Sequence, residues 1–327
     1  MNGQRLGTSA ARVTRIGFGA AAIGGLYASV DAADAEAAIQ AAWDGGVRYF
    51  DTAPHYGVGL SEERLGAFLR ERPHTDFTVS TKVGRLLVPA EVPPPDGVDG
   101  FHGTPARTRV RDYSRDGVRR SLDDSLERLG LDRIDIALIH DPDDHVEQAI
   151  DEAYPALREL RDQGTVGAIG VGMNETAALA RFVRETDLDC VLVAGRYTML
   201  DHSAAEDLLP LCAERGVGVI AGGAFNSGLL AAPRPGMRYD YAVAPPSVLA
   251  RALRMKEICE RHGTPLRAAA LQFTAAHQAI TTVLLGARSA AEVSDGLRMA
   301  GFPVPAKLWS DLRSDGLLGG EFPVAGA

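Results

Sequence analysis

Eight apolar runs, most of them rich in β-branched residues, recur along the chain, each followed by a stretch of helical period. The runs are RIGFGA, VRYFDT, FTVSTK, IDIALIH, VGAIGVG, CVLVAG, GVGVIAG and TTVLLGA. The stretches between them include DAADAEAAIQAAWDGG, SEERLGAFLRE, DGVRRSLDDSLERLGL and VEQAIDEAYPALRELRDQG, several ending in glycine after a charged turn, as helix C-termini do. Strands that are apolar throughout are buried on both faces, which a parallel sheet wrapped in helices requires. Eight such units in succession predict an α/β chain closed into a (βα)8 TIM barrel rather than a doubly wound open sheet. At 327 residues the chain is long for one core, but this architecture runs long as one domain, so residues 1–327 are expected to form one.

Two segments break the alternation. Arg85 to Asp112, with PPPDG at its centre, and Asn226 to Pro246, with PRPGM and APP, are rich in Pro, Gly and Asp without a sustained period. Each follows a strand, so both are expected to be long loops on the C-terminal face, where barrels build their sites.

Composition narrows the partners. Acidic residues outnumber basic ones 43 to 34, for a net charge of −9, and the cations form no single stripe, so a nucleic-acid partner is not expected. Cys190, Cys212 and Cys259 lie far apart in apolar surroundings without a CxxC pair, as buried free thiols of a reducing compartment do. No metal site is expected. IGFGAAAIGGLYASV holds four glycines and lacks the basic flank and cleavage site of a signal peptide, and no run reaches the ~18 apolar residues of a membrane span. The expectation is a cytoplasmic protein that acts on a small molecule.

Polar residues collect at the strand ends. VRYFD ends in Asp51, FTVSTK in Lys82 and IDIALIH in His140, while Tyr56 follows Asp51 in its loop. Taken singly, Asp51 serves equally well as a helix cap and His140 as a satisfied core residue. Lys82 is harder to place, because a lysine after a buried run needs a partner, and Asp51 is the candidate. A lysine cation about 4 Å from a phenol, at an effective dielectric of ~20, favours the tyrosinate by on the order of 4 kcal/mol before desolvation. Tyr56 is therefore expected to exchange a proton near neutral pH, with Asp51 holding Lys82 and His140 orienting a substrate oxygen.

Asp51, Tyr56, Lys82 and His140, in this order on strands two to four, resemble the catalytic tetrad of the aldo-keto reductases. FDTAPHYGVGLSEERLG, residues 50–66, is similar to that superfamily's signature, and the eight-unit pattern covers nearly the whole chain. The resemblance implies a nicotinamide cofactor extended across the barrel mouth without a Rossmann domain, and hydride transfer to or from a carbonyl carbon.

The chain also departs from the common pattern. GVGMNE stands where most members have Ser-Asn after the fifth strand, leaving Gly172 and Met173 with Asn174 one place later. Ala194 takes the place of a glutamine near the sixth strand, and AGGAFNSGLL, residues 221–230, replaces an aromatic-Ser-Pro after the seventh. AGRYTMLD and FNSGLL resemble one branch, the aldose 1-dehydrogenases acting on L-fucose, L-galactose or D-threo-aldoses, with pyridoxal 4-dehydrogenase. That branch implies oxidation of a cyclic hemiacetal to its lactone. The cofactor contacts that the resemblance implies are Asn174, Tyr197, Phe225, Asn226, Ser227, Gly228, Leu229, Gly286, Arg288, Glu292 and Asp295. NADP-preferring members carry a lysine and an arginine where this chain has Gly286 and Glu292, so NAD is expected over NADP. Arg85, His102, Arg107, Tyr113 and Tyr239 are candidates for substrate hydroxyls, with solvated loop positions the alternative.

Other readings stand beside this one. Gly17, Gly19 and Ala22 have dinucleotide-fingerprint spacing, but Gly24 and Gly25 interrupt the helix that must follow; these glycines are read instead as letting the first loop pass beneath a ligand. A Schiff-base enzyme using Lys82 leaves Asp51 unexplained, because a carboxylate keeps that lysine charged. A general NADPH-dependent carbonyl reductase and a reductase-like binding subunit complete the alternatives.

Overall fold

A computed structural model of the chain describes residues 3–240 and 242–319. Its centre is a closed barrel of eight parallel strands: β1 (Ile16–Gly19), β2 (Tyr49–Asp51), β3 (Thr78–Val83), β4 (Ile134–His140), β5 (Val166–Met173), β6 (Cys190–Ala194), β7 (Gly218–Gly222) and β8 (Ile280–Gly286). Each strand pairs with the next, and β8 returns to β1 through Val283 opposite Ile16. These are the eight strands expected from the apolar runs.

Around them lie α1 (Ala32–Asp44), α2 (Leu60–Leu69), α3 (Arg115–Leu129), α4 (Tyr154–Asp162), α5 (Thr176–Glu185), α6 (Leu208–Arg215), α7 (Pro246–Arg261), α8 (Leu266–Ala276), α9 (Ala290–Ala300) and α10 (Ala306–Ser314). Local chemistry sets their limits. The Asp31 carboxylate accepts the Asp34 amide at the start of α1, which buries Ala35, Ala38, Ile39 and Ala42 along one stripe. Ser114 caps α3 through the Gly117 amide, and Gly130, at φ 66°, ends that helix in the left-handed conformation.

The barrel interior is filled from alternate strand positions. Tyr49, Ile136, Leu138, Ala168, Cys190, Leu192, Ile220 and Leu284 form one inner cluster. Because side chains alternate at period two, the next inward positions toward the C-terminal end are Asp51, His140, Ala194 and Gly286, with Lys82 from β3. An N-terminal hairpin, Gln4–Arg5 against Arg12–Val13, seals the opposite end by adding Leu6 and Val13 to the same cluster.

Four features differ from the sequence reading or go beyond it. The segment from 85 to 112 is an antiparallel hairpin, Arg85–Pro89 paired with Arg107–Arg111, whose long tip hides the short alternation of each arm. A smaller hairpin, Arg238–Tyr239 with Ala242–Val243, lies in the second segment. VEQAIDEAYPALRELRDQG does not form one regular helix: residues Ala149–Ala153 widen into a π turn before α4, where Pro155 has no amide to donate and its ring crowds the preceding turn. The C-terminal α10, for which no element was expected, buries Leu308, Trp309 and Leu312.

Candidate active site

Asp51, Lys82 and His140 meet at the top of the barrel because each occupies an inward position at the end of adjacent strands β2, β3 and β4. Lys82 Nζ donates to Asp51 Oδ1 at 2.9 Å, to Asp51 Oδ2 at 2.8 Å and to the Thr52 carbonyl at 2.9 Å, so all three ammonium protons are engaged. Asp51 also accepts from Ser80 Oγ at 2.7 Å. Lys82 is 1% exposed and Asp51 2%, which makes this a buried ion pair whose two charges largely cancel at a distance.

Tyr56 is placed by a close approach of two backbones. A Cβ on Gly24 would lie 3.0 Å from the Tyr56 carbonyl carbon, and one on Gly57 would lie 2.2 Å from the Gly24 oxygen. Glycine at both positions lets the first loop clasp the loop that carries the tyrosine, and at Gly57, with φ 63°, nothing larger fits. Gly17 has a packing demand of its own, since a Cβ there would strike the Tyr49 ring at 2.6 Å.

The Tyr56 ring lies 4.6 Å from Lys82 Nζ and edge-on to His140 at 5.7 Å between centroids. Its phenol is held well above the usual tyrosine range, first by burial and then by the Asp51 and Asp141 carboxylates, against which Arg85 acts in the other direction. The expected lowering by Lys82 is therefore absent in this state. The physical reason is the ion pair: Asp51 offsets the charge that Lys82 would present to the phenol.

His140 is buried, and burial, followed by Arg85 and Lys82, pushes its imidazole well below the ordinary value, so it is neutral. Its Nδ1 is buried without a partner, and its Nε2 lies 3.5 Å from Asp141 Oδ2. Arg85 bridges the next pair of residues, donating from Nη1 to His55 Nδ1 at 2.8 Å and from Nη2 to Asp141 Oδ2 at 2.7 Å. Neither His55 nor Asp141 was singled out from sequence. Their signal was position alone, His55 directly before Tyr56 and Asp141 directly after His140.

These groups line a cavity of about 580 Å³ that also touches Tyr27, Phe101, His102 and Asn174. Gly172 and Ala194 also line it, neither with a side chain beyond Cβ. The Asn226 Nδ2 donates to the Gly195 carbonyl at 3.3 Å, while its Oδ1 is buried and unpartnered. Among the described residues no group of three or more His, Cys, Asp or Glu is arranged to hold a metal ion, and the three cysteines are free and buried.

The remaining expected contacts divide. Phe225 to Leu229 form the turn beyond β7, in which Asn226 and Ser227 both have positive φ, and Ser227 Oγ accepts from the Tyr27 hydroxyl at 3.1 Å across the mouth. Arg288 donates from its amide and guanidinium to Glu292 at the start of α9. Asp295 instead holds Arg267 and Arg298, tying α9 to α8, and Tyr197 is 2% exposed and stacked on Phe273 at 5.3 Å. Neither side chain lines the cavity. Among the loop candidates, His102 lines it, but Arg107 pairs with Glu63 on another face, and Tyr113 is 1% exposed, its hydroxyl bonded to the His140 and Asp141 carbonyls at 2.7 Å each. Tyr239 lies outside the cavity lining.

The sequence profile of the Aldo/keto reductase family matches residues 15–314. The chain is 45% identical to D-threo-aldose 1-dehydrogenase from Pseudomonas sp, over 92% of this chain and 93% of that one. It is 42% identical to pyridoxal 4-dehydrogenase from Microbacterium luteolum, covering 96% and 97%, and 32% identical to L-galactose dehydrogenase from Arabidopsis thaliana, covering 89% and 86%. Among solved structures, an aldo-keto reductase from Bacillus halodurans in its holo form matches with a TM-score of 0.75 at 25% identity, over 96% of both chains.

Proposed function

The chain belongs to the aldo/keto reductase family of NAD(P)-dependent oxidoreductases, and from that premise we propose that it oxidises a cyclic hemiacetal, an aldose above all, at its anomeric carbon to the lactone. The observation that carries this reading is the agreement among the relatives. The three dehydrogenases at 45, 42 and 32% identity are named for an aldose, pyridoxal and L-galactose, all of which close on themselves as hemiacetals.

The residues fit a nicotinamide dinucleotide. Gly172 and Ala194 in the cavity wall carry nothing beyond Cβ and leave room for a planar ring, and the orphaned Asn226 Oδ1 is an acceptor suited to a carboxamide N–H. Asn174, the Phe225 to Leu229 turn, Gly286 and Arg288 are the further contacts proposed. When bound, the oxidised nicotinamide supplies the hydride acceptor and one positive charge. The protein's part is protonic. His140, neutral, orients the anomeric oxygen, and Tyr56 takes the hydroxyl proton in oxidation or returns it in reduction. Asp51 holds the Lys82 ammonium within reach of the phenolate as it forms.

The test is a screen of cyclic aldoses and pyridoxal, followed by nicotinamide reduction. At least one hemiacetal is expected to be oxidised faster than simple aldehydes are reduced; efficient reduction of aromatic aldehydes with no aldose or pyridoxal oxidation would replace this reading with a general carbonyl reductase. Pyridoxal is the second substrate reading, favoured by the 42% relative that spans 96% of the chain.

NAD is the proposed cofactor. Glu292 sits at the start of α9 paired with Arg288, so a 2′-phosphate there meets a carboxylate that competes with it for that guanidinium, whereas a ribose hydroxyl finds an acceptor. The kcat/KM ratio of NAD to NADP is expected to exceed one, and Glu292→Arg to move it toward NADP by roughly tenfold. An unchanged ratio in the variant would remove Glu292 as the discriminator.

A further inference from the structure

His55 has a defined tautomer, and its geometry alone fixes it. A guanidinium only donates hydrogen bonds, so the 2.8 Å contact from Arg85 Nη1 requires an unprotonated His55 Nδ1. The ring's one remaining proton must then reside on Nε2. That atom has no hydrogen-bond partner among the described residues, and the ring lines the cavity shared by Tyr56, Lys82 and His140.

The surroundings hold this state. Arg85 is itself anchored by Asp141 at 2.7 Å, and Asp141 adopts a left-handed backbone, φ 42°, that few residues occupy without support. That support comes from the Tyr113 hydroxyl on its carbonyl at 2.7 Å and from its own amide on the Gly172 carbonyl at 3.0 Å. Arg109, from the opposite arm of the hairpin, donates to the His55 carbonyl at 3.0 Å. The groups facing His55 are Arg85, Arg109 and Arg111 from the hairpin, Lys82 from β3, His140 at the end of β4 with Asp141 directly after it, and Tyr56 beside it in its own loop. Burial, then Arg85, Arg109, Lys82 and Arg111, pushes its imidazole down to about 2, so it remains neutral throughout the working range.

We propose that His55 is a second substrate-binding donor, reading through Nε2–H a hydroxyl on the carbon beside the reacting one, and that Arg85 and Asp141 are positioning residues that fix its tautomer. This deepens the hemiacetal reading and rests on it for the substrate class: a 2-hydroxyaldehyde, of which an aldose is one, is favoured over its deoxy counterpart. The hairpin is thereby a specificity element.

The test compares reduction of glycolaldehyde and acetaldehyde by the cofactor-loaded enzyme. His55→Phe keeps the ring and removes the donor, and is expected to lower kcat/KM for glycolaldehyde about tenfold while changing acetaldehyde less than about twofold. Equal losses on both substrates, or no loss on either, would overturn the proposal. Oxidation of aldoses by the unaltered enzyme is scored separately, so the substrate reading can fail while this ratio still decides the role of His55. A readout without turnover is the nitrogen–proton spectrum of histidine-labelled protein, with His55 assigned from the His55→Phe variant. Its proton is expected on Nε2 from about pH 5 to pH 8; a proton on Nδ1, or a titration near the ordinary value of ~6.5, would also overturn the assignment. Arg85→Gln removes the obligate donor to Nδ1, so the His55 proton is expected to distribute between Nδ1 and Nε2 and the glycolaldehyde-to-acetaldehyde ratio of kcat/KM to fall; an unchanged tautomer and an unchanged ratio would count against Arg85 as the positioning residue.

Discussion

Tyr56→Phe is expected to preserve the barrel and cofactor affinity while lowering turnover by roughly 10² to 10⁴-fold, the usual contribution of a positioned acid–base group. The ring keeps its packing against His140 and its contact beneath Lys82, so only the exchangeable proton is lost. The proton also sets a pH dependence with a definite sign. Because burial and the Asp51 and Asp141 carboxylates raise the phenol, its protonated form dominates at neutral pH. Reduction, which needs the phenol as acid, should be flat through neutrality, and oxidation, which needs the phenolate, should rise with pH in the alkaline range. Rates of both directions against pH, with cofactor titration by fluorescence, check the prediction. A variant retaining more than about a third of unaltered turnover, with chemistry still limiting, would end the assignment.

Lys82→Met should combine a loss of stability with a loss of activity. Removing the ammonium leaves the Asp51 carboxylate 2% exposed with Ser80 Oγ as its remaining side-chain donor. Breaking a buried pair in this way costs about 3–5 kcal/mol. Adding Asp51→Asn removes the stranded charge, so the double variant is expected to recover a large part of that stability. Urea unfolding midpoints read the first effect and single-turnover rates the second. Should the single variant unfold within about 1 kcal/mol of the unaltered protein, the Asp51 charge is not stranded and the account of the pair is wrong.

What the sequence determined by itself is what contiguous residues encode. The eight apolar runs give the strands and their order, since burial on both faces leaves its mark within one short segment. Period-two alternation then sends Asp51, Lys82 and His140 to the inside of the mouth, because a strand residue's face follows from its distance to its neighbours in the chain. The hairpin arms RLLVP and RTRVR were not legible, since each is short and their pairing spans a tip rich in Pro and Gly. Only the tertiary structure decided the electrostatics. Arg85 reaches His55 and Asp141 across gaps of 30 and 56 residues, and no local pattern announces such a bridge. The same holds for Tyr56, where sequence put a lysine beside a phenol and inferred an acidic tyrosine. In the folded chain Asp51 cancels that lysine and burial penalises the phenolate, and both effects depend on distances through space and on the exclusion of water. Asp295 and Tyr197 are placed in the same way, one holding Arg267 and the other stacked on Phe273, partners that no local pattern announces.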